Sequence, residues 1–320
     1  MADQAHDNRP VDGRSTTSNE QKPGDAPLVG ALGDGTEAQA HGAREHNGAD
    51  RTLCLCVDDF GLCAGIDDAV LRLNDAGTVH AVACMVGAPL WRSDGPELRS
   101  CADLETGLHL DFTEHPLQVS RRGLGALIVG SHIGALNRVR IRDEIKAQLD
   151  AFETVMGRPP DFVDGHQHVH QLPTIREALI AELLRRYGAL PWLRSTRRRT
   201  GGATRVAERF KAWFIEQVGA RALASQARAA GCAQNERLLG VYDFSGGAAR
   251  YQTLLTAWIA SARPGDLLMC HPSSVAEAKD PLGLARLAEF EVLSRPGHVA
   301  HLAQGVGLRL GRPHRRSDRT

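Results

Sequence analysis

The stretch TLCLCVDDFG, residues 52–61, decides how the rest of the chain is read. Thr52–Val57 is a short, unbroken apolar run with β-branched and Cys side chains, the pattern of a strand buried on both faces. A carboxylate pair, Asp58-Asp59, follows at its C-terminal end. Outward from this strand, helix-like and strand-like segments alternate. A helix is expected over 66–74 with Gly77 as its stop, and strands over 79–86 and 106–112. Ile141, Ile145, Leu149, Phe152 and Met156 form one stripe of an amphipathic helix over 140–156, stopped by Gly157 and Pro159-Pro160.

A strand over 161–165 follows. Pro173 then opens a helix with Leu179, Ile180, Leu183 and Leu184 on its buried face, closed at Gly188. The pattern continues as a weak strand over 192–195, a helix over 205–230 interrupted near Gly219, and a strand over 238–244. A helix over 250–262, a strand over 267–270 and a helix over 282–293 complete it. Alternating β and α segments predict the α/β class, with a TIM-like β/α barrel, distorted or incomplete, as the architecture. An open doubly wound sheet is the other topology with this pattern.

Composition narrows the rest. The chain has 320 residues, 42% of them hydrophobic, enough for a large core. Lys+Arg and Asp+Glu both number 38, so nothing global draws the chain to nucleic acid or an anionic membrane. No apolar stretch reaches bilayer length, and no signal peptide is visible. The seven Cys are odd in number and lack a CxxC pair. They read as buried small apolar residues in a reducing cytoplasm rather than as disulfides or a thiolate site. Residues 1–50, rich in Gly, Asp, Ala, Asn and Gln, read as a disordered tail. The barrel is then expected over 51–308 as a single domain, with 309–320 a loose basic tail.

The ionisable residues gather where strands end. Asp58-Asp59, His109 in GLHLDF, His166 in DGHQHVH and His271 in LLMCHPS each stand at a strand-to-loop junction, the face on which α/β barrels build active sites. Neighbours on an extended chain point to opposite sides, so the two aspartates are expected to divide their work: one ligates a cation while the other reaches a water. As a bland alternative they are a helix cap and a loop carboxylate. His109 alone reads as a hydrogen-bonded core residue or a ligand, and His271 as a packing residue or a participant. His166, His168 and His170 are two apart and, if extended, project to one face. Asp164 could fix an imidazole tautomer from behind. One carboxylate with two imidazoles leaves coordination positions open, which suits a catalytic Zn²⁺, Mn²⁺, Co²⁺ or similar ion. The DFG triplet lacks the Gly-rich loop, Lys strand and HRD sequence of a kinase.

Taken together, VDDFGL, TGLHLDFTE, GRPPDFVDGHQHVHQLP and CHPS resemble the YdjC-like carbohydrate deacetylases, a family that includes chitooligosaccharide deacetylase and deacetylase-like proteins linked to hopanoid biosynthesis. The resemblance implies a TIM-like barrel, one divalent ion (Mg²⁺ in the family) and hydrolytic removal of acetyl from a small N-acetylated sugar. It carries Asp59, His109 and His166 over as metal ligands, Asp58 as base and His271 as acid, leaving His168 and His170 behind the ligands or facing substrate. Cys56-Val57 stands where many members have Asn-Ala. Arg194, Arg197, Arg198 and Arg199 are expected to form a solvated basic loop, with an anionic substrate contact as the alternative. An amidohydrolase-type barrel is disfavoured because its HxH pair ends the first strand. A non-catalytic metal- or sugar-binding barrel is disfavoured by the spare Asp58. A homodimer is compatible with this reading.

Overall fold

The computed structural model describes residues 51–197 and 216–313. The expected tail over 1–50, the first half of the expected helix over 205–230, and Arg198, Arg199 and 314–320 lie outside the described residues.

β1 (Thr52–Phe60) runs through the aspartate pair instead of stopping before it. It is followed by α1 (Ala64–Asp75), β2 (Ala81–Cys84), α2 (Trp91–Asp94) and β3 (Glu105–Leu110). Then come α3 (Leu124–His132), α4 (Arg138–Met156), β4 (Phe162–Gly165), α5 (Pro173–Arg186) and β5 (Trp192–Leu193). The chain closes with α6 (Arg221–Ala229), β6 (Leu238–Leu239), α7 (Gly247–Ser261), β7 (Leu267–Cys270), α8 (Gly283–Leu293), α9 (His298–Gly305) and β8 (Arg309–Leu310). The helix start and stop signals behave as the sequence suggests. Asn137 caps α4 by accepting the Val139 and Arg140 N–H groups, and Gly157 ends it at φ 69°, a conformation a side chain would strain.

All the pairings are parallel, in the order β5-β4-β3-β2-β1-β7-β6. That is a cyclic order cut between β5 and β6, which excludes the doubly wound sheet. The cut is partly mended by a Leu193–Gln234 bridge and by the Leu193 N–H, which donates to the Ala233 carbonyl at 2.9 Å. The result is a distorted, incompletely closed barrel.

Period-2 alternation sorts the strand side chains into two cores. Leu53, Leu55, Val57, Leu108, Leu110, Val163, Leu193, Leu268 and Cys270 face outward against the helices. Cys54, Cys56, Ala81, Ala83, Phe162, Trp192, Leu267 and Met269 fill the interior. All seven cysteines are free, and Cys54, Cys56, Cys84 and Cys270 are buried as expected.

Three expectations fail. Arg309–Leu310 is not loose: it pairs with β1 in the register Thr52–Arg309 and Leu53–Leu310, because β7 covers β1 only from Cys54 onward and leaves its first residues free to pair. Leu184 is 52% exposed; α5 turns its stripe through Ile175, Leu179 and Leu183. The strand expected over 238–244 is only two residues long, since Gly240 turns out of the ladder at φ 94°.

Candidate metal centre

One periodicity accounts for most of the site. On β1, Cys54 and Cys56 point into the barrel, and Asp58 is next in that parity. On β3 and β4, His109 and Asp164 take the inward positions in direct register. Past Trp192 and Met269, the same parity turns Arg194 and His271 inward. Strand ends that converge on one axis therefore bring together five ionisable side chains that are distant in sequence.

Asp59 breaks the alternation. Its φ is 71°, a left-handed conformation that costs a non-glycine residue of order 1 kcal/mol or more. The register between β1 and β2 shifts between Val57 and Phe60. This bulge re-aims the second carboxylate. Ideal extension would send the two aspartates to opposite sides; the bulge instead turns Asp59 back, so that both line one cavity while meeting different partners.

Asp59 Oδ1 lies 3.0 Å from His166 Nδ1 and 3.4 Å from His109 Nε2. Its Oδ2 accepts from Arg286 Nη2 at 2.7 Å. His109 Nδ1–H donates to Asp164 Oδ1 at 2.7 Å, which turns Nε2 toward Asp59. Burial alone would raise the Asp59 carboxyl, but Arg286 and the two imidazoles hold it well below the usual range. Burial would likewise depress the imidazoles, yet Asp164 and Asp58 push His109 well up, and Asp59 pushes His166 to about 9. A carboxylate and two imidazole nitrogens facing one another within 4.8 Å make a place where positive charge is favoured. That is a fitting donor set for a divalent ion with open coordination positions.

Asp58 serves a different set of partners. Arg194, fully buried, donates Nη1–H to its Oδ2 and Nη2–H to its Oδ1, both at 2.6 Å, and Nη2 also lies 2.7 Å from Asp164 Oδ2. One guanidinium thus ties the carboxylate behind His109 to the carboxylate beside the cavity. The basic-loop expectation fails for Arg194 because β5 carries it into the interior, where Asp58 and Asp164 compensate its charge. Asp164 is held at about 2: burial would raise it, but Arg194 and His109 prevail.

His271 Nε2 lies 3.9 Å from Asp58 Oδ2, and its ring stands edge-on to Phe244. Burial outweighs both aspartates and lowers His271 to about 4. Its backbone N–H donates to Glu289 at 2.6 Å, and Glu289, pushed up to about 7 by burial, also accepts from Tyr242 at 2.8 Å.

The three imidazoles of HQHVH do not share a face. The strand ends at Gly165, as expected, and His166–Gln171 form a 3₁₀ segment in which Gln167 and His168 have positive φ, so the extended conformation that would align the three rings is not adopted. His166 alone reaches Asp59. His168 lines the cavity, and its Nδ1 has no partner. His170 points away, donating Nε2–H to the Arg194 carbonyl at 2.9 Å.

Asp58, Asp59, His109, His166, His168 and His271 line one cavity of about 560 Å³, walled further by Leu124, Ile128, Leu172, Tyr242 and Phe244. Two members are not among those expected from the sequence. Arg286, on α8, is 3% exposed and bridges Asp59 and Asp280. Glu114 lies past β3, with Oε1 3.2 Å from His166 Nε2. Only the TE that follows GLHLDF could have drawn attention to Glu114.

Known proteins share this arrangement of chain. The chain is 30% identical over 291 residues to a human protein named carbohydrate deacetylase, covering 80% of this chain and 88% of that one. A protein from Yersinia enterocolitica named chitooligosaccharide deacetylase is 32% identical over 135 residues, 39% of this chain and 53% of its own length. The chain thus aligns with about half of that relative. Among solved structures, a protein of Enterococcus faecalis V583 described as a candidate for cellobiose-phosphate cleavage superposes with a TM-score of 0.57 at 20% identity. The match covers 83% of this chain and 98% of that one, a likeness of fold. The family model for YdjC-like proteins matches residues 52–304, from β1 into α9, and the chain belongs to that family.

Proposed function

We propose that this chain is a metal-dependent hydrolase that removes acetyl groups from an N-acetylated carbohydrate, cleaving a non-peptide C–N bond. The family and the relatives named carbohydrate deacetylase and chitooligosaccharide deacetylase support the chemistry. The observation that carries it is the division between adjacent carboxylates: Asp59 faces two imidazoles, while Asp58 faces Arg194, His271 and the cavity.

In this reading Asp59, His109 and His166 hold one divalent ion. Mg²⁺ is our expectation, with Zn²⁺, Mn²⁺ and Co²⁺ chemically suited to the same donors. When bound, the ion supplies Lewis acidity and lowers the pKa of a neighbouring water. Asp58, both oxygens oriented by Arg194, takes the proton of the water that attacks the N-acetyl carbonyl. His271 rests neutral, so the proton it gives to the departing amine is one it first receives. Asp58, 3.9 Å away, is the nearest source. The proton lost by water then ends on the amine, and the site returns to its starting state.

Asp58 distinguishes this reading from a non-catalytic binder, which needs no base beside its ligands. The free cysteines support a reducing cytoplasm, and the balanced charge argues against a nucleic-acid substrate. Among the described residues no helix is long and apolar enough to cross a membrane. Acetate release from N-acetylglucosamine oligomers, assayed with each of the four ions, tests the proposal. Metal-dependent acetate release is expected. Tight metal binding with no acetate from any N-acetylated sugar would favour the binding barrel.

A further inference from the structure

The loop after β3 has no regular secondary structure, yet two buried carboxylates hold it. Asp111, 2% exposed, accepts the Thr113 N–H at 2.7 Å, the Glu114 N–H at 3.1 Å and the His115 N–H. Glu144, fully buried on α4, accepts the Leu117 N–H at 2.7 Å, the Val119 N–H at 2.9 Å and the Gln118 N–H. Gln148, one turn further along α4, joins the two: it accepts from the Asp111 N–H at 3.0 Å and donates to the Asp111 carbonyl and to Glu144. Buried carboxylates cost several kcal/mol in desolvation unless hydrogen bonds compensate them. Here the compensating donors are the backbone amides of one irregular loop. Three buried polar residues thereby hold the segment, beside the buried Phe112 and the partly buried Val119 packed on the core.

That segment delivers Glu114 to the cavity wall, with Oε1 3.2 Å from His166 Nε2. His109 is backed in the same pattern with its nitrogens exchanged, there by a formed hydrogen bond to Asp164 and at His166 by the ion-pair approach of Glu114. Its Nδ1 meets Asp164 while Nε2 faces Asp59, whereas the Nε2 of His166 meets Glu114 while Nδ1 faces Asp59. We propose that Glu114 is a positioning residue for His166: its carboxylate, 3.2 Å from Nε2, holds the proton on that nitrogen and leaves Nδ1, the nitrogen that faces Asp59, as the atom that would ligate the ion. The Asp111–Gln148–Glu144 clamp exists to hold it there. This inference rests on the reading of Asp59, His109 and His166 as a metal site.

Co²⁺ alone, titrated into the full chain and followed by calorimetry and by its visible absorption, tests it. Glu114→Ala removes the acceptor and is expected to weaken Co²⁺ binding about 10- to 100-fold and to alter the spectrum, the usual effect of losing a carboxylate behind a ligating His. Glu114→Gln keeps an acceptor oxygen and should recover much of the affinity. Glu114 is half-exposed, so both variants should melt like the parent. Glu144→Gln cannot receive all three loop amides and should weaken Co²⁺ in the same direction, but add little in the Glu114→Ala background. If Glu144→Gln does not fold, the two Glu114 variants decide alone. Wild-type affinity and spectrum in Glu114→Ala, alongside weakened binding in His166→Ala, would overturn the positioning role and leave the metal site standing. Unchanged binding in His166→Ala would overturn both.

Discussion

Asp58 and Asp59 are neighbours in sequence whose side chains hydrogen-bond to different partners. Arg194 grips both oxygens of Asp58, whereas Asp59 divides its oxygens between Arg286 and the His109–His166 pair. Replacing one or the other should therefore fail in different ways. Asp58→Asn is expected to keep metal affinity nearly intact while lowering kcat about a hundredfold or more, the scale of a lost general base. Asp59→Asn should weaken metal binding itself, with activity partly restored by excess ion. Calorimetric titration of both variants beside acetate-release kinetics separates them. Metal loss in Asp58→Asn but not in Asp59→Asn would reverse the roles.

At the scale of elements, the turn after β4 and the last strand each carry a prediction. The His166–Gln171 turn buries His170 completely, and burial lowers its pKa to about 4 against an ordinary 6.5. Between those values the unfolded chain binds a proton that the fold refuses. Stability is thus full above about pH 6.5 and falls as pH drops toward 4, by up to about 3 kcal/mol from this residue. In His170→Gln, which keeps a donor for the Arg194 carbonyl, the difference from wild type in urea-unfolding free energy should change with pH across that window. A pH-independent difference would remove His170 as the cause. For β8, the Arg309 N–H donates to the Arg51 carbonyl at 2.9 Å and the Gly311 N–H to the Leu53 carbonyl at 3.2 Å. Ending the chain at Leu308 should cost on the order of 2 kcal/mol, the worth of two such bonds. Ending it at Pro313 should cost nothing measurable, and equal urea midpoints for the two truncations would show that β8 adds no stability.

For the whole molecule, the described sheet begins at Thr52, where β8 pairs with the first residues of β1, and ahead of it in sequence stand the first 50 residues. Those residues have few large apolar side chains to dock. A chain starting at Arg51 is expected to unfold at the parent's midpoint and to release acetate at the parent's rate. A lower midpoint would mean that the segment packs on the barrel.

The sequence alone determined whatever depends on local periodicity and local chemistry. The unbroken apolar run of β1, the stripe of α4 with its glycine stop, and the strand-end positions of Asp58, Asp59, His109, His166 and His271 could all be read directly, because strand and helix periods repeat over a few residues. Parity along the same strands would also put Asp164 and Arg194 inside, but Arg194 reads with the arginines after it as a solvated basic loop. Tertiary structure alone decided the rest. The bulge that aims Asp59, the approach of Arg286 from α8 and of Glu114 from a clamped loop, and the pairing of β8 with the first strand all join residues far apart in the chain, and the turn that separates His166 from His168 and His170 rests on positive φ at two non-glycine residues that no periodicity records. Such contacts form by closing a barrel around buried charges that must each find a partner, and no local pattern records which distant residue will supply it.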